Sequence, residues 1–489
     1  MSSHAELEPE TPLEKIASNT VPTGHQPSSK NATAPIEPHT AEGPTLMAEA
    51  EGLVPEERKS AFVFKRLRRD LPLPSARMIL VMTLTMYLSM FLAGWNDASQ
   101  GPLLPSLQRI YNVDYLVISI LWIMNFVGFL TAGLTNVVIA DRLGFGIAAP
   151  FGAFMQAFAY ILICWQPPYP LFLIAYIFNG FGLGLQDAQV NSMVTRFPNA
   201  NAKMFILHAM YGVGATVSPL VSTEFVKRVP RVTLYYAVSL GLAIFTATCL
   251  ILVFRFRTED QVVGRRQALP ASQEPIPMGE VVTETTVDEK RGDGGSGDKM
   301  KRIMRTPAAH FMAFYLAVYV GIEVTLGGWI TTFLIDERGG NDNAGYVTTG
   351  YFGGIALGRV ILIPVTTWLG KHNSIYIYSI ICIVLEVVIW TVHDLVTNAV
   401  LYAIIGILLG PMYPVVMMVI IDVLPPELQA GTIGWCASLG QAGSAIMPFI
   451  TGGLANRYGV WILQPLLVAF LGFSLVLWAF VPRPKGWIR

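Results

Sequence analysis

Gly180-Phe-Gly-Leu-Gly-Leu-Gln-Asp-Ala-Gln-Val-Asn-Ser-Met-Val-Thr195 decides how the rest of this chain is read. It lies inside an apolar segment running from Leu171 to about Val194, long enough to cross a bilayer as a helix. On a helix, Gly180, Gly184, Asp187, Asn191 and Thr195 share one narrow stripe, bare at one end and carrying an acid, an amide and a hydroxyl at the other. Glycines let another helix or a ligand approach the backbone closely. A charged carboxylate at mid-membrane costs roughly 3 kcal/mol on insertion scales, so Asp187 should face a protein interior or a wet cavity. Tight helix packing with one polar residue as interhelical glue is the plainer reading. A binding or proton site is favoured over it.

Composition agrees with a membrane protein. The 489 residues are 53% hydrophobic and 13% charged, against about 25% charged in soluble domains. The formal net charge of zero argues against general affinity for nucleic acid. Cys164, Cys249, Cys382 and Cys436 all lie in apolar segments without a Cys/His ligand spacing, so neither a disulfide framework nor a metal site is expected. No cofactor is expected either.

Residues 1–75 read as a polar, disordered cytosolic tail without a cleavable signal. A sequon at Asn31 within it would never meet the transferase on that side. Lys65, Arg66, Arg68, Arg69 and Arg77 precede the first apolar segment, from Met78 to about Trp95, and hold the N-terminus inside. Further spans are expected at roughly 115–139, 147–165, 170–194, 203–226 and 232–254, closing an N-terminal unit over 76–255. A charged linker (256–306) follows. A second unit (307–482) has spans at about 309–334, 345–368, 374–392, 398–421, 431–453 and 460–481, before a basic tail over 483–489. The expectation is an all-α membrane protein of about 12 transmembrane helices with both termini cytosolic. Arg142, Arg196, Lys203 and Lys371 fall in inside loops as the charge rule requires; Lys227, Arg228 and Arg231 go against it.

The two sets resemble each other. Gly94 and Gly101 in the first span match Gly321 and Gly328 in the seventh, with Asn96 and Glu323 each two residues after the first glycine. Gly214 precedes Pro219 by five residues in the fifth span, as Gly443 precedes Pro448 in the eleventh. Two parallel-repeat six-helix bundles enclose a cavity that rocking exposes alternately to each side, which suggests a secondary transporter. No GxxxxGK[ST] loop supplies ATP drive, and no strand precedes the Gly180–Gly184 run as a dinucleotide loop would require. No catalytic constellation points to an enzyme.

Polar residues inside the spans nominate the site. Asp97, Asp187 and Glu323 are acids costly enough to favour function, and acids sharing one cavity can carry protons. Asn96, Gln100, Asn125, Asn191, His208, Tyr211, Trp329, Tyr413, Trp435 and Gln441 supply the amides, hydroxyls and aromatic faces that a polyhydroxylated ligand needs. For His208 a structural role is as expected as a functional one. Arg359 and Glu386 are read as structural ion-pairing or helix-end residues.

Ile139-Ala-Asp-Arg-Leu-Gly144 resembles the signature loop of the major facilitator superfamily, with Val137 where glycine is usual and Phe145-Gly146 replacing a basic pair. The resemblance gives Asp141, Arg142 and Gly144 a gating role. Gly182, Gly184, Asp187, Asn191, Val194 and Thr195, with Tyr319, Gly321, Glu323, Tyr413-Pro414 and Leu103-Leu-Pro105, are similar to the fucose-permease branch of sugar:proton symporters, its fungal members above all. In that branch the fourth-span acid takes part in proton coupling and sugar binding, which here falls on Asp187. The branch also has a first-span aspartate four residues before the proline of Leu-Leu-Pro. Gly101 holds that position here, and Asp97 lies one helical turn away.

Together these readings describe a monomeric, multi-pass carrier in the lipid bilayer, most plausibly of the plasma membrane. It would move a small polar, sugar-like solute with protons by alternating access. A proton-driven exporter of a fungal metabolite is the alternative, and a non-transporting membrane sensor a remote one. Substrate and direction are not legible.

Overall fold

Helix boundaries follow from caps and breakers that the sequence places at the ends of the apolar runs. The computed structural model describes residues 74–263 and 296–483. The sequon at Asn31, the basic run Lys65–Arg69, the centre of the linker (264–295) and the tail beyond Arg483 lie outside the described residues. Twelve long helical segments follow one another: α1 (Ala76–Tyr111), α2 (Tyr115–Leu143), α3 (Phe145–Cys164), α4 (Tyr169–Val194), α5 (Ala200–Arg228), α6 (Tyr235–Phe254), α7 (Pro307–Arg338), α8 (Gly345–Ile361, extended through a bend by Ile363–Leu369), α9 (Lys371–Thr391), α10 (Leu395–Leu409, continued by Met412–Val423), α11 (Pro426–Tyr458) and α12 (Leu463–Ala479). Ser75, Asp114 and Asp394 cap α1, α2 and α10, each side chain accepting a bond from the amide three residues on, which satisfies one of the free donors of a first turn. Pro307 and Pro426 sit in first turns, where the missing N–H costs nothing.

Ten helices among the described residues are long and apolar enough to span a membrane, or eleven if the pair bent by 59° at Leu362 counts as one span. α11 is long enough, at 33 residues, but is not one of them. Its sequence is diluted by Gln429, Thr432, Ser438, Gln441 and Ser444. The first span is longer than its apolar segment, continuing as helix from Trp95 through Asn96, Asp97, Gln100, Pro102 and Pro105 to Tyr111, so the polar residues nominated within it do lie on one helix. That polar run is bonded inside the protein, as shown below. The linker's ends are helical too, at Glu259–Val263 and Ser296–Met304.

The same helix pairs recur in the two halves. In the first, α1 packs on α5, α2 on α4, α3 on α4 and α6; in the second, α7 packs on α11, α8 on α10, α9 on α10 and α12. The corresponding glycines make corresponding crossings. A Cβ at Gly94 would strike the carbonyl of Tyr211, and one at Gly214 the carbonyl of Phe91. On the other side a Cβ at Gly321 would strike Met447, and one at Gly443 the carbonyl of Ala317. Helices this close gain dispersion energy that larger side chains would forbid. The bare end of the α4 stripe is packing surface as well: Gly180 meets the Asn125 backbone and Gly184 the Phe129 ring, both on α2.

The turns between α2 and α3 and between α8 and α9 share a backbone. Gly144 has φ 72° and ψ 165°, and Gly370 has φ 83° and ψ 141°, a region glycine alone enters freely. Two of the three basic residues that oppose the charge rule are compensated, since Lys227 and Arg228 both pair with Glu224 one turn earlier.

Substituting Gly94 with Ala should destabilise the protein by about 1–3 kcal/mol through overpacking, seen as a lowered unfolding midpoint in detergent. Gly241, around which a Cβ meets nothing within 4 Å, should tolerate Ala with its midpoint unchanged or raised.

Candidate functional site

The halves meet at one end only, the far end, where α1 and α7 finish. There a Cβ at Gly101 would run into the carbonyl of Gly327, so the two backbones touch with no side chain between them. Gly328 abuts Trp122, Gly345 abuts Thr223 and Pro102, and Gly452 abuts Ser119 and Tyr115. Trp329 is fully buried in this seal, its ring 5.8 Å from that of Trp122 and 5.9 Å from that of Tyr115, its Nε1 donating to the Pro448 carbonyl at 3.2 Å. Tyr115 Oη donates to Asp336 at 2.7 Å, Arg109 pairs with Asp342 at 3.7 Å, and the Tyr346 hydroxyl donates to Glu224. Every hydrogen bond and ion pair between the halves among the described residues lies at this end. The near end, where α1 begins, has none.

Helix geometry then places the acids. Asp97 is one turn nearer the open end than Gly101 on α1, and Glu323 is one turn nearer than Gly327 on α7. The two therefore flank the floor of the space beneath the seal, and both are half-buried. Asp187 on α4 is half-buried as well, and Asn191, one turn on, donates from Nδ2 to its Oδ1 at 2.9 Å, fixing the carboxyl's orientation. The charges of Asp187 and Glu323 both bear on Asp97, and those of Asp187 and Glu323 both bear on Tyr413. Three acids from three helices thus share one electrostatic environment.

A hydrogen-bonded lattice holds Asp97. Its Oδ1 accepts from Asn96 Nδ2 at 3.2 Å and its Oδ2 from Tyr211 Oη at 2.9 Å. Asn96 Oδ1 accepts from Tyr160 Oη at 3.2 Å and from Asn179 Nδ2 at 3.0 Å, and Asn179 Nδ2 also donates to Asn125 Oδ1 at 3.0 Å. This ties α1 to α2, α3, α4 and α5 through one chain of amides and phenols. Sequence reasoning nominated Asn96, Asn125 and Tyr211 but passed over Asn179, the buried residue joining them. The signal was present, as an amide in the middle of the apolar run directly before Gly180. The Gln156–Gln186 pair, at 2.6 Å, was passed over too.

The remaining nominated residues divide. Tyr413 lies with the acids, its ring 6.4 Å from Tyr319, whose hydroxyl donates to the Leu409 carbonyl. His208 lies on α5 facing α8. Trp435 stands nearer the open end, its ring edge-on to His310 at 6.1 Å and its buried Nε1 unpartnered. Gln441 accepts from Ser444 through its backbone carbonyl at 2.7 Å. Asn96 and Gln100 are buried at 4% and 5% exposure, inside the helical wall and not on its open surface, and Trp329 is in the seal. Asp141 and Arg142 are exposed at the near end and enter no ion pair among the described residues. Gly144 closes α2 instead, with Gly146 N donating to the Arg257 carbonyl at 2.9 Å, so this loop is pinned to the end of α6.

Arg359 and Glu386 form no ion pair among the described residues. Of the two expected roles, Arg359 keeps the helix-end one, in the last turn of α8, and Glu386, inside α9, has neither. Arg359 is on the α8 face that meets α5, three residues beyond Ala356, which abuts Gly212. Its charge bears on His208, Tyr211, Tyr319 and Tyr413, and its buried Nε has no partner. Glu386 is fully buried in α9 with neither carboxyl oxygen hydrogen-bonded among the described residues.

Residues 86–435 match the family model of the Major Facilitator Superfamily. The chain belongs to that superfamily and is a multi-pass membrane transporter of its fold. It is 23% identical over 413 residues to Bypass of stop codon protein 6 of Saccharomyces cerevisiae, covering 80% of each chain. It is 22% identical over 383 residues to the glucose/mannose transporter GlcP of Bacillus subtilis, covering 76% of this chain and 87% of the relative. The solved structure of a D-xylose–proton symporter superposes with a TM-score of 0.64 at 13% identity, over 83% of this chain and 99% of that one, a likeness of fold.

Replacing Asn179 with Leu strips a donor from the half-buried Asn125 Oδ1 and one of two donors from the buried Asn96 Oδ1, which keeps Tyr160 Oη. The expected loss is about 1–3 kcal/mol for the group left unpaired, read as a lowered unfolding midpoint. Asn179→Gln, which keeps the amide, should recover part of it.

Proposed function

We propose that this transporter is a proton-coupled carrier of a small polar, sugar-like solute, working by alternating access between two six-helix repeats with both termini in the cytosol of a plasma-membrane protein. One observation carries the reading. Asp97, Asp187 and Glu323 stand half-buried around one space between the halves, below a seal that closes its other end. An acid in such a place is expensive unless it does something. Protonation of a carboxyl removes its charge and turns it from an acceptor into a donor, so proton gain and loss change which solute groups and which conformation the site favours.

Asp187 takes the role of principal proton carrier because its only side-chain partner is Asn191, a neighbour on its own helix that moves with it. Asp97 is held by Asn96 and Tyr211 and serves as the fixed reference in the N-terminal half. Glu323 presents the corresponding acid from the C-terminal half. Tyr211, Tyr413 and Trp435 offer hydroxyls and an aromatic face to a hydroxylated ligand. The GlcP relative, named for glucose and mannose transport, is in keeping with a sugar-like solute.

In proteoliposomes given an inward proton gradient, solute should accumulate on the alkaline side, while net expulsion toward the acidic side would support the exporter. Asp187→Asn should abolish gradient-driven accumulation yet retain solute exchange at equal pH. Full accumulation by that variant would overturn its assignment.

A further inference from the structure

We propose that Arg359 makes this carrier selective for solutes bearing an anionic group, a sugar acid or a similar hydroxylated carboxylate, over their neutral counterparts. The proposal rests on the carrier reading and narrows its substrate class. Three features of the structure support it.

Position comes first. The α8 stripe Phe352, Ala356, Arg359 runs along the boundary between the halves: the Phe352 ring fills the space at Gly327, on α7 of the same half beside its contact with Gly101, and Ala356 fills the space at Gly212 on α5 of the other half. Continuing the stripe toward the near end brings Arg359 opposite His208, one turn before Gly212. Arg359 therefore stands where α5 and α8 diverge from their far-end contact, at the wall of the open space.

Pairing comes second. A guanidinium carries five donors and stays charged under all physiological conditions. Arg359 is half-buried, its Nε is buried without a partner, and no carboxylate lies within ion-pair distance of it among the described residues. Glu323 shares its electrostatic neighbourhood without contacting it. Two other half-buried cations are satisfied by contrast, Lys371 pairing with Asp422 at 2.7 Å and Arg338 donating to the Ile389 carbonyl at 2.9 Å, while the buried Arg257, whose Nε is also unpartnered, lies beyond the end of α6 and outside the spans.

Surroundings come third. Tyr211, Tyr319 and Tyr413 all feel both Arg359 and Glu323. A ligand seated among them would meet a cationic fork on one side and acids and phenols on the other. A planar carboxylate matches the fork by two parallel bonds, and sugar hydroxyls match the phenols and amides. Ligand binding at Arg359 also removes the local attraction that would draw Glu323 toward it, which links solute occupancy to the acid of the C-terminal half.

The test compares ligands of matched skeleton on the purified full-length protein: glucuronate with glucose, galacturonate with galactose, gluconate with sorbitol. Ligand-dependent shifts in unfolding midpoint rank binding, and counterflow in proteoliposomes confirms transport. At least one acid should bind about tenfold or more tightly than its neutral partner. Arg359→Gln should reduce that preference to within about twofold, and Arg359→Lys should keep part of it. Unliganded midpoints of the variants report folding, and any surviving equilibrium exchange of a neutral sugar reports an intact carrier. Equal or stronger binding of the neutral members, or an acid preference that survives Arg359→Gln, overturns the proposal and leaves the carrier reading standing. If no member of the panel binds or exchanges in the native protein, the sugar-like carrier reading fails and this proposal with it.

Discussion

At Gly101 the backbone of α1 meets the Gly327 carbonyl of α7 with no room for a side chain, and most of what is functional here depends on that contact. It sets the depth at which the halves touch. Because side chains one turn apart share a helix face, it also sets the depth at which Asp97 and Glu323 emerge beneath it. The contact also decides what position 101 can hold. An aspartate at position 101 would place its Cβ inside the neighbouring carbonyl when the far end is closed. The acid of this chain lies at 97 instead, where the helices have separated enough to admit it.

The two halves use their polar residues differently. In the N-terminal half, Asn96, Asn125, Asn179, Tyr160 and Tyr211 form a connected network that ends on the Asp97 carboxyl. A network of this kind is costly to break at any one member, because each remaining group is left buried and unpaired. It makes the N-terminal wall a rigid reference. In the C-terminal half, Arg359 and Glu386 have buried side-chain atoms without partners, as Gln100, Gln156 and Asn179 do in the N-terminal half. The charged members of that set inside the spans, Arg359 and Glu386, both belong to the C-terminal half.

Much of the fold was legible in the sequence. Apolar run lengths placed eleven of the helices closely, and the paired punctuation at Gly94/Gly321 and Gly214/Gly443 marked crossings that the structure makes in both halves. The apolar run ending near Trp95 understates the length of α1, because polarity signals water only when no partner waits in the protein. Asn96 and Asp97 have partners on α3, α4 and α5, which no local reading of α1 can supply. The α4 stripe was read correctly as a surface, but its glycines proved to be packing and only its acid faces the open space. Arg359 does lie at a helix end, as expected. A cation there has many ordinary explanations, and its lack of a partner appears only in three dimensions. Trp329 shows the converse, since a tryptophan read as a ligand platform is in this conformation part of the seal.

A seal made of close backbone contacts, one tryptophan cluster, three tyrosine hydrogen bonds and one exposed ion pair among the described residues is suited to opening. A surface pair such as Arg109–Asp342 contributes about 0–1 kcal/mol, so it does not commit the halves to this state. The direct measurement is of two distances in one protein, using spin labels at Thr195 and Glu427 across the near end and at Arg231 and Asn343 across the far end, all four exposed. On changing pH and adding solute, the near-end distance should shorten in the same population in which the far-end distance lengthens. Distances that stay fixed, or that lengthen at both ends together, would contradict a carrier that rocks about the Gly101–Gly327 contact.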